Sequence, residues 1–369
     1  MKLLIVAGTR PQLVKSAAIV QAAAEFKDVE IEFVHTGQHY DFELSRIFFQ
    51  ELSLPQPAAN LEVGSGSHVY QTAQTMLSLE KYLKDRRDAP DFALVAGDTN
   101  SALGSVLALS KHGLKVGHVE AGPRSDDTSI FEVEEINRRL IDHASNMLFA
   151  PSKGSAENLR KEGISKGVYD SGDVMYDVFQ TYSEVVDEKG TVALLGLEPG
   201  NYDVLTMHRF ENVDNPTRLR SILRAVGTAG VPVVFPAHPR TRKKLLESGL
   251  EEPPGLRMTD PLGYIEMLKL VRESRMVMTD SGGLQKEAFW SKVPCLTLKE
   301  NTEWVEVVRR GFDYPVGADY DRICETRRYI LRNYQRIRNR RVTNPFGDGH
   351  ASRFILKALL KEFRAKARR

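Results

Sequence analysis

Two carboxylates directly follow short apolar runs: Asp98 in Ala96-Gly97-Asp98-Thr99-Asn100, and Glu120 in Val119-Glu120-Ala121-Gly122. A third, Glu134, stands beside Glu135 a few residues on. A carboxylate that ends a buried strand needs a partner or a purpose. Burial also raises its pKa toward that of a general acid or base. For Asp98 the competing expectation is a helix N-cap. Cations lie close in sequence to another strand end. Gly8-Thr9-Arg10-Pro11 follows the first apolar run, and Lys15 is about one turn further on. Arginine suits forked contact with phosphate oxygens, and lysine acts as a point charge.

A second group of residues reads as an anion site. In Met276-Val277-Met278-Thr279-Asp280-Ser281-Gly282-Gly283 a strand ends at a serine and two glycines, and a helix begins. Such a turn lets backbone N–H groups approach an anion, and the helix N-terminus adds about +0.5 of charge. Ser281 is a candidate N-cap and phosphate donor. Glu287, further along the same helix, could accept from both hydroxyls of a ribose. His208 and His238 follow two other apolar runs, with Arg209 and Arg240 nearby, and their equivalent placement favours anion contacts.

Other chemistries lack their signatures. There is no GxGxxG; the nearest string, Gly64-Ser65-Gly66-Ser67-His68, lacks the final glycine and follows no apolar run, so no nicotinamide cofactor is indicated. The nine histidines show no HxH spacing, and Cys295 and Cys324 form no CxxC, so no metal site is expected. Lys and Arg total 51 against 49 Asp and Glu, a net charge of +2, which argues against a dedicated nucleic-acid binder. No apolar run is long enough to span a membrane. The N-terminal Leu3-Leu4-Ile5-Val6-Ala7 is too short for a signal-peptide core and reads as a first buried strand, so a cytoplasmic location is expected.

The elements that must carry these residues can be read from periodicity. Strands are expected at 3–7, 31–35, 92–96, 116–120, 147–150 and 168–171, with helical spacing at 11–26 and 68–84 between them. Turn signals at 188–201 interrupt the pattern, which restarts with strands at 204–206, 231–235, 256–259, 276–279 and 295–298. Alternation with runs buried on both faces predicts two doubly wound parallel α/β domains. Residues 352–369 read as one amphipathic helix. Ligands of open α/β sheets bind at the C-terminal strand edges, so the chemistry is expected in the loops after the strands and in a cleft between the domains.

The full set of motifs resembles the non-hydrolysing UDP-N-acetylglucosamine 2-epimerase family from residue 1 to about 360. The carrying residues are Gly8-Thr9-Arg10-Pro11 with Lys15, Thr36-Gly37-Gln38-His39, Gly97-Asp98-Thr99, Gly117-His118-Val119-Glu120-Ala121-Gly122 and Glu134-Glu135-Ile136-Asn137-Arg138. They continue through His208-Arg209, His238-Pro239, Asp280-Ser281-Gly282-Gly283 with Gln285 and Glu287, and Thr302-Glu303. The resemblance implies a GT-B fold: two Rossmann-like domains, with the active site in the interdomain cleft. The N-terminal domain would comprise residues 1–185 and 352–369, the last helix crossing back to it, and 186–351 would bind UDP. It implies catalytic roles for Asp98, Glu120, Glu134 and His208. It implies substrate binding by Arg10, Lys15, Arg138, Arg209, His238, Ser281, Gly282, Gly283 and Glu287.

The implied activity is reversible C2 epimerisation of a UDP-2-acetamido sugar, without a cofactor, in a homodimer that binds neither nucleic acid nor membrane. Several positions depart from the family pattern. Gln12 replaces a glutamate, Pro123 a leucine, and Trp304-Val305 an Arg-Pro. Asp41 replaces a glutamine tied to allosteric activation, so weakened activation is expected. Gln12, His39-Tyr40-Asp41 and Asn301-Thr302-Glu303-Trp304 look more like archaeal members and like relatives acting on UDP-2,3-diacetamido-2,3-dideoxyglucuronic acid. A GT-B glycosyltransferase is the alternative from another class.

Overall fold

The computed structural model describes residues 1–38, 48–86, 88–125, 133–186 and 190–367. His39, Tyr40 and Asp41 lie outside them. The chain divides into two units, Met1–Thr181 with Asn344–Arg369, and Tyr182–Thr343.

The first unit is built on a seven-stranded sheet of order β3-β2-β1-β4-β5-β6-β7, with every pairing parallel. Its strands are β1 (Lys2–Ala7), β2 (Glu30–His35), β3 (Ala59–Asn60), β4 (Phe92–Ala96), β5 (Val116–Val119), β6 (Met147–Ala150) and β7 (Val168–Asp170). Residues 3–7 of β1 are at most 2% exposed, as a central strand covered on both faces requires. The connecting helices include α1 (Arg10–Ala23), α2 (His68–Lys84), α3 (Asn100–Lys111), α4 (Val133–Ala144), α5 (Lys153–Lys161) and α6 (Val174–Ser183). A core of Leu4, Val6, Val95, Val106, Leu109 and Ile141 joins the sheet to α3 and α4.

The second unit repeats the plan with six parallel strands, in the order β10-β9-β8-β11-β12-β13. They are β8 (Asp203–Thr206), β9 (Val233–Pro236), β10 (Leu256–Thr259), β11 (Met276–Thr279), β12 (Cys295–Thr297) and β13 (Asp313–Pro315). Helices α7 (Pro216–Val226), α8 (Pro239–Glu247), α9 (Tyr264–Arg272) and α10 (Gly282–Trp290) connect them. Both units are doubly wound α/β sheets of Rossmann-like plan. In each, strand order reverses once: between β1 and β4, and between β8 and β11. Loops leaving these strands in opposite directions open a crevice at the C-terminal edge.

The chain re-enters the first unit at Asn344. Phe346 is fully buried there, and its carbonyl accepts from the Asp173 amide at 2.9 Å. The C-terminal helix (Ala351–Ala367) then packs on α1. Asp177 of α6 caps it, accepting from the amides of Ala351 (3.1 Å) and Ser352 (2.7 Å) and from the Ser352 hydroxyl (2.6 Å). Strand β3 carries too few residues to show a period, and β13, Asp313-Tyr314-Pro315, contains no aliphatic run. β13 tolerates Pro315 because it lies at a sheet edge. No helix among the described residues is long and apolar enough to cross a membrane.

Candidate functional site

In the first unit the loops after β1, β4 and β5 bring the expected residues together. Thr9 and Gln12 form a capping box that starts α1, with Arg10 in the first helical turn and Pro11 next to it. The Gln12 carbonyl oxygen accepts from the amides of Gly8 (2.9 Å) and Thr9 (3.2 Å), while its amide donates to the Ala96 carbonyl at 3.0 Å. A glutamate could make only the first set of bonds, so Gln12 ties the β1 loop to the end of β4. Arg10 is exposed, with its guanidinium 4.6 Å from the centre of the Phe48 ring.

Lys15, one turn into α1, donates to Glu120 Oε1 at 2.5 Å; the two side chains are 7% and 10% exposed. Glu120 has φ +70, a left-handed conformation costing a non-glycine residue about 1–2 kcal/mol. The amides of Glu120 and Ala121 both donate to the Phe149 carbonyl at 3.1 Å, which holds the kink. The kink ends β5 one residue before the 116–120 expected. Gly97, with φ +71, leaves room for Lys15: a Cβ there would stand 3.1 Å from Nζ. Asp98 does not cap α3; Thr99 does, accepting from the Ala102 amide. The Asp98 carboxylate is left for Arg138, whose Nε and Nη2 both lie 2.7 Å from Oδ2.

Helix α4 supplies the third carboxylate and separates the two candidates at its start. Glu134 is half-buried in the first turn. Glu135 is buried and accepts from Arg138 (3.2 Å) and Arg139 (2.9 Å) and from Ser125 (3.3 Å), an internal structural role. Arg138 therefore joins Asp98 and Glu135, and in this structure its charge serves protein carboxylates.

In the second unit Asp280 is the organising residue. It is fully buried at the end of β11 and accepts from the backbone amides of His208 (3.1 Å) and Arg209 (3.1 Å), from Asn212 Nδ2 (3.1 Å), and from His208 Nδ1 (3.0 Å). Burial pushes its carboxyl up, but His208 and Arg209 outweigh burial and bring it down to about 2. Arg209 Nε donates back to the Asp280 carbonyl at 3.0 Å. His208 itself is exposed, its ring oriented by this buried carboxylate.

Ser281 occupies the N-cap position of α10, but its hydroxyl makes no capping bond; its amide donates to Thr279 Oγ1 at 2.9 Å. A Cβ on Gly282 would fall 2.3 Å from Glu303 Oε1 and 2.9 Å from Trp304 Nε1, so glycine is required for close approach. A carboxylate thus already stands beside the first turn of α10, with Lys299 Nζ 3.4 Å from its other oxygen. Gly283 continues that turn, and Glu287 is buried one turn further on. His238 caps α8, its Nδ1 accepting from the Arg240 amide at 3.3 Å. The Arg240 guanidinium pairs with Asp214.

The sequence reading passed over three buried groups as site residues: His118, Asp142 and Asp280. His118 and Asp280 lay inside quoted motifs, but periodicity cannot tell a side chain that supports a loop from one that fills a core. Asp142 had no signal beyond a charge on the buried stripe of α4.

The profile of UDP-N-acetylglucosamine 2-epimerase matches residues 21–360. A Methanococcus maripaludis protein described as a UDP-N-acetylglucosamine 2-epimerase homolog is 42% identical, covering 88% of this chain and 91% of its own. The Pseudomonas aeruginosa UDP-2,3-diacetamido-2,3-dideoxy-D-glucuronate 2-epimerase is 39% identical, covering 90% and 92%. The crystal structure of Methanocaldococcus jannaschii UDP-GlcNAc 2-epimerase in complex with UDP-GlcNAc and UDP superposes with a TM-score of 0.89 at 36% identity, covering 98% and 100%. With the doubly wound sheets and the carboxylate and cation set in place, the chain belongs to the UDP-N-acetylglucosamine 2-epimerase family.

Proposed function

We propose that the protein interconverts UDP-N-acetylglucosamine and UDP-N-acetylmannosamine by inverting carbon 2. The observation that carries this reading is the pairing of two loop carboxylates with cations at one sheet edge, Glu120 with Lys15 and Asp98 with Arg138. Carbon 2 bears an amide and has no carbonyl neighbour, so its proton is not acidic. Oxidation would need a hydride acceptor, and the sequence carries no dinucleotide fingerprint. Elimination meets the requirement: UDP leaves carbon 1 while a carboxylate takes the proton from carbon 2, giving a 2-acetamidoglycal. Protonation on the opposite face and return of UDP complete the inversion.

The leaving diphosphate needs cations and N–H donors, for which Arg10, Lys15, His208, Arg209, His238 and the Ser281-Gly282-Gly283 turn are assigned. Asp98, Glu120 and Glu134 are assigned the proton transfers, with Arg138 holding Asp98. Glu287 is assigned to the ribose. A second substrate is favoured by the Pseudomonas aeruginosa relative, UDP-2,3-diacetamido-2,3-dideoxyglucuronate. Incubation of the protein with each UDP sugar in heavy water separates the readings. One deuterium should enter carbon 2 on inversion, with slow release of UDP and glycal. Inversion without deuterium sinks the mechanism. UDP-sugar consumed only when an acceptor is added would identify a glycosyltransferase instead.

The active form in this reading is a cytoplasmic homodimer. The free thiols of Cys295 and Cys324 suit a reducing compartment. Val69 and Leu77 of α2 and Ile136 and Leu140 of α4 are 80%, 62%, 49% and 48% exposed. The facing sides of these helices border a shallow cavity of about 320 Å³ that includes Val69, Ala73, Met76 and Val133. Two apolar stripes on neighbouring helices suit a self-complementary twofold contact. Leu77→Glu should sediment as a monomer where the parent chain sediments as a dimer; a parent that is monomeric at micromolar concentration refutes the assignment.

A further inference from the structure

Behind the candidate carboxylates of the first unit lies a buried pair that the reaction scheme does not use. His118 and Asp142 have fully buried side chains, and Nδ1 of His118 stands 2.6 Å from Asp142 Oδ1. Nε2 of the same ring stands 2.9 Å from the carbonyl oxygen of Gly97, the residue before Asp98. Both neighbours are acceptors, so the ring donates from both nitrogens for both bonds to form. Asp142 Oδ2 accepts in turn from the amide of Gly122, two residues after Glu120, at 3.2 Å, and from Arg124 Nη2 at 2.8 Å. Burial pushes the Asp142 carboxyl up, but its bond to His118 and the charges of His118 and Arg124 outweigh that and hold it below the usual carboxylate range.

The same loops are cross-tied by backbone. The Gly97 amide donates to the Val119 carbonyl at 3.0 Å, immediately before Glu120, and Asn137 Nδ2 donates to the Asp98 carbonyl at 2.8 Å. The His118 ring is therefore a side-chain bridge between the two loops. One nitrogen holds the peptide that aims Asp98, and the other holds the carboxylate that anchors the turn after Glu120. That turn is the strained one, with φ +70 at Glu120 and +87 at Gly122. From α4, Asn137 Nδ2 and Arg138 Nε also reach Asp98, at its carbonyl and its carboxylate.

We propose that His118 and Asp142 are positioning residues for the epimerisation, fixing the separation of the Asp98 and Glu120 carboxylates across the two faces of carbon 2. The proposal rests on the function assigned above and predicts more than a stability effect. A displacement of about 1 Å between reacting groups can cost about 10²-fold in rate. Substrate affinity, which the proposal places on other residues, should hardly change.

Asparagine and glutamine separate the two nitrogens of the ring, since the Asn amide reproduces the reach of Nδ1 and the Gln amide that of Nε2. His118→Gln keeps a donor for Gly97, and His118→Asn keeps one for Asp142. The experiment measures kcat and KM for UDP-N-acetylglucosamine by NMR, with thermal unfolding of each variant alongside. Expected is a fall in kcat of at least about tenfold for each variant, since each cuts one end of the bridge, with KM within about threefold for both. A near-parent kcat in either variant, or losses that follow KM, overturn the proposal. Should His118→Asn fail to fold, Asp142→Asn carries the test: kcat should fall at least about tenfold with KM unchanged, and a normal kcat overturns it. Absence of epimerisation by the parent enzyme would instead refute the assigned function.

Discussion

Asp98→Asn and Glu120→Gln are each expected to lower turnover by about 10²–10⁴-fold, with little loss of UDP affinity. Both changes keep side-chain shape and remove the capacity to take or give a proton. The barrier increase corresponds to about 3–5 kcal/mol. The two variants should differ in stability. Glu120 neutralises a lysine that is 7% exposed, so Glu120→Gln leaves a buried cation unpaired, at a cost of about 3–5 kcal/mol. Asp98 is 23% exposed and its partner Arg138 keeps Glu135, so Asp98→Asn should lose less stability than Glu120→Gln. Glu287→Ala should give the reverse pattern, weakened UDP binding with turnover at saturation mostly retained. Steady-state kinetics with UDP titration calorimetry checks all three. Near-normal turnover in both carboxamide variants would remove these residues from the chemistry.

What the sequence disclosed and what it withheld follow from the range of each signal. Residues 92–96, 147–150 and 276–279 are strands with the expected bounds, because a run buried on both faces of a parallel sheet announces itself locally. β3 did not, having two residues, and β13 did not, its Asp313-Tyr314-Pro315 containing no aliphatic residue. At the site, Lys15 and Glu120 were each visible as a charged residue near a strand end. Their pairing at 2.5 Å was not, since it joins residues 105 apart in sequence. Thr99 took the capping role available to Asp98, a choice between adjacent residues that depends on backbone dihedrals. Glu134 and Glu135 could be distinguished only by which faces Arg138 and Ser125. Supporting groups such as Asp142 and Asp280 are buried and charged, and their use is defined by loops distant in sequence.

Asp280→Asn is expected to reduce both stability and turnover, and the two losses should separate with pH. The Asp280 carboxyl lies at about 2 against an ordinary 3.8, so the folded state binds its proton less readily than the unfolded chain. A depressed folded value adds stability above pH 3.8, and that stability is lost as pH falls through about 2. The difference amounts to about 2 kcal/mol at neutral pH. The unfolding midpoints of parent and variant should therefore differ near pH 7 and converge as pH falls from about 5 toward 2. Turnover should fall by about 10²-fold at neutral pH, because an amide cannot accept from His208, Arg209 and Asn212 together, and the ring of His208 loses its fixed orientation. If Asp280 acts through His208, the double variant Asp280→Asn/His208→Ala should be no slower than the worse single variant, since residues acting as a unit are not additive. Additive losses in that cycle would show that Asp280 affects the reaction by a route other than His208.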